Sequence, residues 1–324
     1  MTTLETINHS HREDLNRLND RITSQLSSSS TLMDQIVLSL LRTKGKQLRP
    51  LLLMMCAKMF GPVTDKVLAS AVAVELIHNA SLIHDDVVDN SMTRRNQPTV
   101  NAVWDNHIAV LVGDFFTSSA MKEALSTGDI RIAEALSYLG RCLSLGEIDQ
   151  IYNAREHSLT EEAYYKIIDY KTASLFVAAA KMGCLAVGVA DERLDILANY
   201  AQLFGRCFQI RDDIFDYFPS EKVGKPTGND LREGKVTLPL LYALNRTDLP
   251  GHDSIMELLK SDSLTDEEIE RLQAFARDNG GIDYAYEVME RLRSEAVRGL
   301  NQLPESAERR ELDDLFDFII ARAY

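Results

Sequence analysis

ELIHNASLIHDDVVD, residues 75–89, ends an apolar helical run with three aspartates, Asp85, Asp86 and Asp89. Carboxylates four positions apart lie one turn from each other on the same face of a helix. Like charges this close destabilise a helix and resist burial unless cations neutralise them. Carboxylate oxygens with room for water and phosphate suit Mg²⁺. The stretch therefore predicts a long helix that ends at a site for divalent ions.

The same DDxxD pattern occurs again in CFQIRDDIFDYF, residues 207–218, as Asp212, Asp213 and Asp216. A single copy is a weak signal, because acidic pairs occur on many exposed helix faces. Here both copies follow apolar residues, and the second continues into more of them, which an exposed face would not do. The repeated motif in apolar surroundings therefore favours a metal site over a solvated surface.

The composition excludes several classes of protein. The 324 residues are 45% hydrophobic, which is enough for one large domain or two modest ones. A net charge of −14 argues against nucleic acid as a partner. Four scattered cysteines without a CxxC pair, and a polar N-terminus, predict a reduced cytoplasmic protein without a secretory signal. The most apolar stretch, residues 175–190, contains Lys181 and is too short for a membrane span, so it predicts a buried helix.

Helical periodicity runs through the chain, and no long alternating strand pattern appears. The longer helices are expected at about 11–26, 32–43, 66–90, 107–125, 129–153, 160–189 and 191–218. The expected fold class is all-α, a single large bundle of long helices around a deep central cavity. We expect one domain, 1–324, in which residues 1–30 form an N-terminal helix that could lie at the periphery.

Basic residues accompany both acidic motifs. Arg94 and Arg95 follow the first motif, and Lys46 and Arg49 lie in the break KGKQLRP ahead of a helix. A guanidinium binds phosphate oxygens in pairs, and an ammonium acts as a point charge. Any one of these pairs alone is more often a surface charge than a ligand. Several such clusters beside two acidic motifs predict a diphosphate site.

The segment PSEKVGKPTGNDLREGKVTLP, residues 219–239, breaks the helical pattern directly after the second motif. It is rich in glycine, proline and lysine, and a solvated connection between helices would have a similar composition. Lys225 and Lys235 place positive charge where the carboxylates need partners. We therefore interpret the segment as a lid over a bound diphosphate.

These motifs, in this order, resemble the trans-isoprenyl diphosphate synthases, or polyprenyl synthetases. The resemblance is carried by KGKQLRP at 44–50, the block at 75–89, Arg94-Arg95, Lys171-Thr172, FQIRDDIFD at 208–216 and GKPTGNDLREGKVTLP at 224–239. It implies the isoprenoid synthase fold and a prenyltransferase. The implied reaction is a Mg²⁺-dependent, sequential head-to-tail condensation of isopentenyl diphosphate onto an allylic diphosphate primer, with farnesyl diphosphate as the expected primer.

The resemblance also implies roles for individual residues. Two or three Mg²⁺ ions, bound together with the substrate diphosphate, would be held by Asp85, Asp89 and Asp212. Other catalytic residues would support these ligands or lie along the path of the cation: Asp86, Asp213, Asp216, Lys171, Thr172 and Gln209. The allylic diphosphate would be bound by Arg94, Lys171, Lys225 and Lys235. Isopentenyl diphosphate would be bound by Gly45, Lys46, Arg49, His78 and Arg95.

Three departures from the family pattern surround the isopentenyl diphosphate residues. Lys44 stands where the family has glycine, Gln47 replaces an arginine, and Asn96 replaces a glycine. They predict weaker binding of isopentenyl diphosphate in an active enzyme, because the charges assigned to binding are all present. His78 by itself would be interpreted as a packed core residue, and only its place in the family block makes it a candidate ligand.

The residues just before the first motif bear on product length. Ala80 and Ser81 lie five and four positions before Asp85, where aromatic residues accompany short products in this family. Their small size predicts a long all-trans product, roughly seven to ten isoprene units. The nearest alternative is a short-chain enzyme that makes farnesyl or geranylgeranyl diphosphate. A terpene cyclase and a non-catalytic regulatory subunit are less favoured, because both acidic motifs and the isopentenyl diphosphate residues are present.

The resemblance finally implies partners. A homodimer is expected, with helices packed across a two-fold axis. Peripheral contact with a membrane is expected to accompany release of a long prenyl product.

Overall fold

The computed structural model describes residues 3–42, 45–156, 159–218, 227–261 and 263–321. In these ranges the chain is built almost entirely of helices, so the predicted all-α class is confirmed. The α-helices, in chain order, are α1 Thr3–Ser10, α2 Arg12–Leu26, α3 Thr31–Arg42, α4 Leu48–Lys58, α5 Asp65–Val88, α6 Val100–Val103, α7 Asn106–Ser126, α8 Ile130–Arg155, α9 Glu161–Ile168, α10 Ser174–Ala186, α11 Glu192–Phe215, α12 Asn229–Arg232, α13 Leu238–Leu244, α14 His252–Leu258, α15 Asp266–Asp278, α16 Gly281–Leu300 and α17 Ala307–Ala321.

The chain divides into two compact units. The first consists of Met1–Arg141, Leu175–Ala198 and Leu303–Leu312. The second consists of Cys142–Ser174, Asn199–Gln302 and Asp313–Tyr324. The first acidic motif belongs to the first unit and the second motif to the second unit. A single domain with one deep central cavity stays a prediction.

The first unit is organised around α5, which carries the first acidic motif at its C-terminal end. Every residue from Val67 to Ile77 is buried, and α5 packs along α7 and against α2 and α4. Within the described ranges α5 is the one helix long and apolar enough to cross a membrane, yet 72% of its most apolar window is buried inside the protein. The core helix of a folded protein meets the same criterion, so its apolar length is explained by packing.

The N-terminal helix α2 contributes to this core. Leu18, Ile22 and Leu26 form a buried stripe, and α2 contacts both α5 and α7. Arg21 Nε donates to Glu123 Oε2 on α7 at 2.8 Å. In the first unit α2 is therefore a core element, and not the peripheral helix considered for residues 1–30.

The apolar stretch at 175–190 forms the buried helix that the sequence predicts. Leu175 and Phe176 of α10 are among its buried residues. A Cβ at Gly183 would lie 2.4 Å from the carbonyl oxygen of Leu53, so α10 approaches α4 more closely than any larger residue would allow.

The second unit has its own apolar core, in which α13 packs against α15 and α16. Leu240 and Leu244 of α13 belong to the same buried cluster as Leu272 and Phe275 of α15. The helix α15 begins with a capping box at Thr265, whose side chain and backbone both bond with Glu268.

Two local features differ from the predicted helices. The helix predicted over 160–189 is interrupted, because a π-helical turn at Asp169–Ala173 separates α9 from α10. Two short strands, β1 Thr93–Arg94 and β2 Gln97–Pro98, form an antiparallel hairpin after α5. Both features carry candidate site residues.

Candidate active site

The first acidic motif separates one buried carboxylate from two that reach solvent. Asp86 is buried and accepts hydrogen bonds from Arg94, from Nε at 2.9 Å and from Nη2 at 2.8 Å. Burial raises the pKa of Asp86, and the Arg94 guanidinium opposes that rise. Asp85 is half-buried, and Asp89 is exposed where α5 ends. The protein therefore holds the middle carboxylate, while the outer two remain accessible.

The hairpin explains how Arg94 reaches the motif. Arg95 and Asn96 connect its strands, with φ of 52° and 59°, so both are left-handed. Two left-handed residues form the preferred two-residue connection between antiparallel strands. Asparagine adopts this conformation more readily than most residues. Asn96 can therefore replace the glycine of the family pattern without disrupting the turn.

Four of the residues predicted to bind isopentenyl diphosphate lie together in the first unit. A Cβ at Gly45 would lie 2.7 Å from the Arg95 guanidinium, so a larger residue would displace the end of that side chain. The pKa of His78 is lowered well below its usual value, first by burial and then by the positive charges of Arg49 and Arg95. His78 Nδ1 is buried without a hydrogen-bond partner among the described residues. A neutral imidazole beside two arginines could bind a polar group of an anionic ligand.

Glu75, which the sequence analysis did not single out, is buried next to these arginines. Burial raises its pKa, and the charges of Arg49 and Arg95 oppose the rise. The sequence does contain a signal for Glu75, because an acidic residue within an apolar helical run requires cationic neighbours.

The loop that carries the fifth residue, Lys46, is tied to the N-terminal helix. Lys46 itself is exposed. Its neighbour Gln47 is left-handed, with φ of 49°. Gln47 Nε2 donates to Asn19 Oδ1 at 3.1 Å, and Asn19 Nδ2 donates back to Gln47 Oε1 at 3.4 Å. The glutamine that departs from the family pattern therefore anchors the loop to α2.

The second motif also has a buried middle carboxylate, but its partners are neutral. Asp213 Oδ2 accepts from the Tyr164 hydroxyl at 2.7 Å, and Asp213 Oδ1 accepts from Gln209 Nε2 at 2.7 Å. Gln209 Oε1 accepts from the Thr172 hydroxyl at 2.6 Å. Burial raises the pKa of Asp213 well above its usual value. Asp212, at the start of the motif, is half-buried.

The last aspartate of the second motif caps a short helix. Asp216 accepts backbone hydrogen bonds from Asn229 at 3.3 Å and from Asp230 at 3.1 Å, at the start of α12. The buried side chain of Gln273 donates to the Asp216 carbonyl at 2.6 Å. The segment after α12 carries Lys235, whose ammonium pairs with Glu233. Asp216 therefore positions the backbone that leads to this lysine.

The π-helical turn presents Lys171 and Thr172. The Lys171 ammonium pairs with Glu147 and donates to Gln150 Oε1 at 3.1 Å, both on α8. Asp169, at the start of the turn, accepts two hydrogen bonds from the Arg206 guanidinium, at 2.7 and 2.6 Å. Single π-helical turns inside α-helices occur frequently at functional sites. The turn is thus held at its first residue, Asp169, and at its middle residue, Lys171, by charged contacts.

A cavity of about 240 Å³ in the second unit brings five predicted site residues together. They are Lys171, Thr172, Gln209, Asp213 and Lys235. Tyr164, which the sequence analysis missed, lines the same cavity. Two lysines beside hydrogen-bonding side chains suit an anionic ligand. The predicted ligand Lys225 lies outside the described residues.

The acidic residues fit metal ions that arrive with a substrate. In the described parts of the chain no three His, Cys, Asp or Glu side chains are grouped closely enough to hold a metal by themselves. Mg²⁺ is commonly bound through one or two carboxylates together with water and substrate phosphates. Asp85 and Asp89 in the first unit, and Asp212 in the second, are each half-buried or exposed and have carboxylate oxygens of this kind.

The residues predicted to affect product length lie on α5. Ala80 is 1% exposed, and the Ser81 hydroxyl donates to the carbonyl oxygen of His78 at 2.9 Å. A small residue at position 80 therefore belongs to the packed interior of the first unit.

Comparison with known proteins identifies the family. The polyprenyl synthetase family model matches residues 30–275. The octaprenyl diphosphate synthase of Escherichia coli K12 is 32% identical over 98% of this chain and 99% of its own length. The polyprenyl synthase of Caulobacter crescentus CB15, solved with calcium and isoprenyl diphosphate, has a TM-score of 0.92 at 31% identity and covers 99% of this chain and 98% of its own. A geranylgeranyl pyrophosphate synthase from Bacteroides thetaiotaomicron has a TM-score of 0.85 at 36% identity and covers 99% of both chains. The predicted fold, enzyme class and family are thus confirmed, and the chain belongs to the polyprenyl synthetase family.

Proposed function

We propose that this enzyme is a long-chain all-trans polyprenyl diphosphate synthase that extends an allylic diphosphate with isopentenyl diphosphate. The observation that carries the proposal is the cavity of the second unit. Five residues that the motifs assign to catalysis or diphosphate binding, far apart in the sequence, line it together. The octaprenyl diphosphate synthase relative supports the same reaction.

Binding of the allylic diphosphate follows from the charges in this cavity. Lys171 and Lys235 each pair with a glutamate, Glu147 and Glu233. A diphosphate would replace these glutamates as the partner of the lysines, because it concentrates more negative charge. The family resemblance assigns Arg94 and Lys225 to the same ligand, Lys225 from the predicted lid.

Asp85, Asp89 and Asp212 would hold Mg²⁺ ions. Bound Mg²⁺ would neutralise the charge that develops on the departing diphosphate. Lys171 and Lys235 would stabilise the same oxygens as the carbon–oxygen bond breaks. Thr172 and Gln209 would lie beside the resulting allylic cation, which the double bond of isopentenyl diphosphate attacks. The proton lost from the new chain would go to the released diphosphate.

Isopentenyl diphosphate would be bound by the cluster in the first unit. Arg49 and Arg95 supply charge beside His78, whose buried Nδ1 has no hydrogen-bond partner among the described residues. Gly45 leaves room for the Arg95 guanidinium, and Lys46 extends from the same loop. A neutral His78 would accept or donate a hydrogen bond without adding charge.

The proposed product length rests on a small residue of α5, Ala80. Ala80 is small and buried, and a small residue at this position supports a long product by the family pattern. A short-chain synthase remains the alternative, and the geranylgeranyl pyrophosphate synthase similarity is the observation that favours it.

A second copy of the chain is the proposed partner. Along α8, large apolar side chains recur at helical spacing and remain exposed: Tyr138, Leu145, Ile148 and Tyr152. On α7, Leu111 and Leu125 are 62% and 61% exposed. Exposed apolar surface of this extent is typical of an interface, and a two-fold contact would cover the same helices on both copies. We place the homodimer in the cytoplasm, with transient membrane contact when the product leaves.

The test is incubation of the purified protein with labelled isopentenyl diphosphate, farnesyl diphosphate and Mg²⁺, followed by chromatography of the dephosphorylated products. We expect products of roughly seven to ten isoprene units and loss of product when the metal is chelated. Accumulation of a four-unit product, which is the farnesyl primer extended once, would support the short-chain alternative. Cyclic products, or no incorporation, would overturn the proposal.

A further inference from the structure

Four side chains of the second unit form a continuous hydrogen-bonded row: Tyr164, Asp213, Gln209 and Thr172. The three bonds measure 2.7 Å from Tyr164 to Asp213, 2.7 Å from Gln209 to Asp213, and 2.6 Å from Thr172 to Gln209. Tyr164, Asp213 and Thr172 are each less than 9% exposed. The bond from Tyr164 to Asp213 is therefore buried, whereas the two bonds of Gln209 are partly buried.

The chemistry of the groups fixes the direction of each bond. When Asp213 is ionised its carboxylate only accepts, so the Tyr164 hydroxyl and the Gln209 amide both donate to it. The amide then turns its oxygen toward Thr172, and the threonine hydroxyl must donate to it. The Thr172 proton is thereby engaged, and the oxygen offers only lone pairs to anything else in the cavity.

We propose that Tyr164 is a positioning residue that sets the direction of the hydrogen bonds in this row. This inference rests on the proposed prenyltransferase function. With its proton directed to Gln209, Thr172 presents electron density to the allylic cation. Without the tyrosine hydroxyl, one oxygen of Asp213 loses its donor. The buried carboxylate can then rotate to seek another donor, and the orientation of Gln209 is no longer determined.

The helix α9 is built to hold Tyr164 in place. The Thr160 side chain caps α9 by accepting from the backbone of Ala163. Glu161 accepts from the Tyr284 hydroxyl at 3.0 Å, and Tyr284 stacks on Tyr242 with ring centroids 4.2 Å apart. Both contacts flank the turn that carries Tyr164, so its hydroxyl is presented to Asp213 from a fixed position.

The test compares Tyr164→Phe with Tyr165→Phe. Both remove a single hydroxyl from the same helix. Tyr165 packs its ring against Tyr164 and under Arg206, contacts that phenylalanine retains. We expect Tyr164→Phe to lower kcat by about tenfold or more, as for loss of a hydrogen bond to a charged group, with KM for isopentenyl diphosphate within about twofold of the wild type. Tyr165→Phe should keep both constants near wild type. Equal constants in the two variants would overturn the proposal.

A second measurement does not depend on activity. Thermal unfolding of Tyr164→Phe, Thr172→Val and the double variant forms a cycle that reports coupling between the two ends of the row. We expect the melting shift of the double variant to differ from the sum of the single shifts, and additive shifts would overturn the proposal. A wild-type protein without prenyltransferase activity would refute the proposed function, and the cycle would still decide whether Tyr164 orients the row. If Tyr164→Phe does not fold, Asp213→Asn takes its place in the unfolding cycle. The introduced amide cannot act as a double acceptor, so Asp213→Asn no longer accepts from both Tyr164 and Gln209.

Discussion

The two acidic motifs have the same pattern of aspartates, but the protein supports them differently. In the first, the buried Asp86 is bound by a charged group, the Arg94 guanidinium. In the second, the buried Asp213 is bound by the neutral groups of Tyr164 and Gln209. A charged partner balances the aspartate locally, whereas neutral donors only orient it. The difference indicates that the first motif balances the charge of its buried aspartate, whereas the second fixes the orientation of its buried aspartate.

The last aspartates differ as well. Asp89 is exposed at the end of α5, whereas the Asp216 carboxylate accepts two backbone N–H groups of α12. The first arrangement leaves a carboxylate accessible to a metal ion. The second uses the carboxylate to fix the segment that leads to Lys235. Equivalent positions in a repeated motif therefore serve different purposes.

The largest expected effect is loss of the first aspartate of either motif. Asp85→Ala and Asp212→Ala should each lower kcat by at least about 100-fold, the scale for removing a group that stabilises transition-state charge. The melting temperature should stay near wild type, since neither side chain is fully buried. Steady-state assays with saturating Mg²⁺ measure the effect.

Asp253→Ala is the control for general loss of negative charge, because the Asp253 side chain is fully exposed. It should leave the rate unchanged. Near-normal turnover in Asp85→Ala or Asp212→Ala would refute the metal assignment for that motif.

The next prediction separates the two last aspartates. Asp89→Asn removes a charge that a metal requires, so kcat should fall by about 100-fold. Asp216→Asn keeps a side chain that can cap a helix, so its activity should fall by less than about fivefold. Asp216→Ala loses the cap, which costs about 1 kcal/mol of local stability. It should therefore raise KM for the allylic diphosphate. Initial rates of the three variants test this ranking. If Asp89→Asn and Asp216→Asn were equally impaired, the distinction between the two positions would be wrong.

Product length should depend on the helix of the first motif. Ala80→Phe adds a ring to a buried position of α5, which should block chain growth and shift the products to shorter lengths. The change also risks overpacking, which typically costs about 1–3 kcal/mol, so circular dichroism must show a folded variant. Ala80→Ser, of similar size, should retain the wild-type distribution. Products of unchanged length from folded Ala80→Phe would refute the assignment of product length to position 80.

The sequence predicted much of this, and the failures have a common cause. Helical periodicity predicted the buried α5 and α10, and the motifs predicted the residues that line the cavity. Tyr164 was missed because its partner, Asp213, is 49 positions away and nothing local to the tyrosine indicates that contact. The π-helical turn was missed because a single inserted residue hardly changes the apolar pattern. The Tyr164 contact and the π-helical turn both involve residues far apart in the chain. A single sequence does not show directly which distant residues pair.

The smallest expected effect concerns the two cationic loops. The loop with Lys235 is held by the charged Asp216, and the loop with Lys46 by the neutral amide pair of Gln47 and Asn19. A neutral hydrogen bond contributes about 0.5–1.5 kcal/mol. Asn19→Ala should therefore raise KM for isopentenyl diphosphate by about two- to fivefold with kcat unchanged, because the loop loses its anchor and keeps its charges.

Asp20→Ala, the next residue of α2, is the matched control and should leave KM unaltered. Gln47→Arg restores the residue of the family pattern and adds a charge while it breaks the amide pair. If the loop needs charge more than an anchor, Gln47→Arg should bind isopentenyl diphosphate more tightly than the wild type. If the anchor matters more, Gln47→Arg should resemble Asn19→Ala, and the loop with Lys46 would then depend on its hydrogen-bonded anchor, as the loop with Lys235 depends on Asp216.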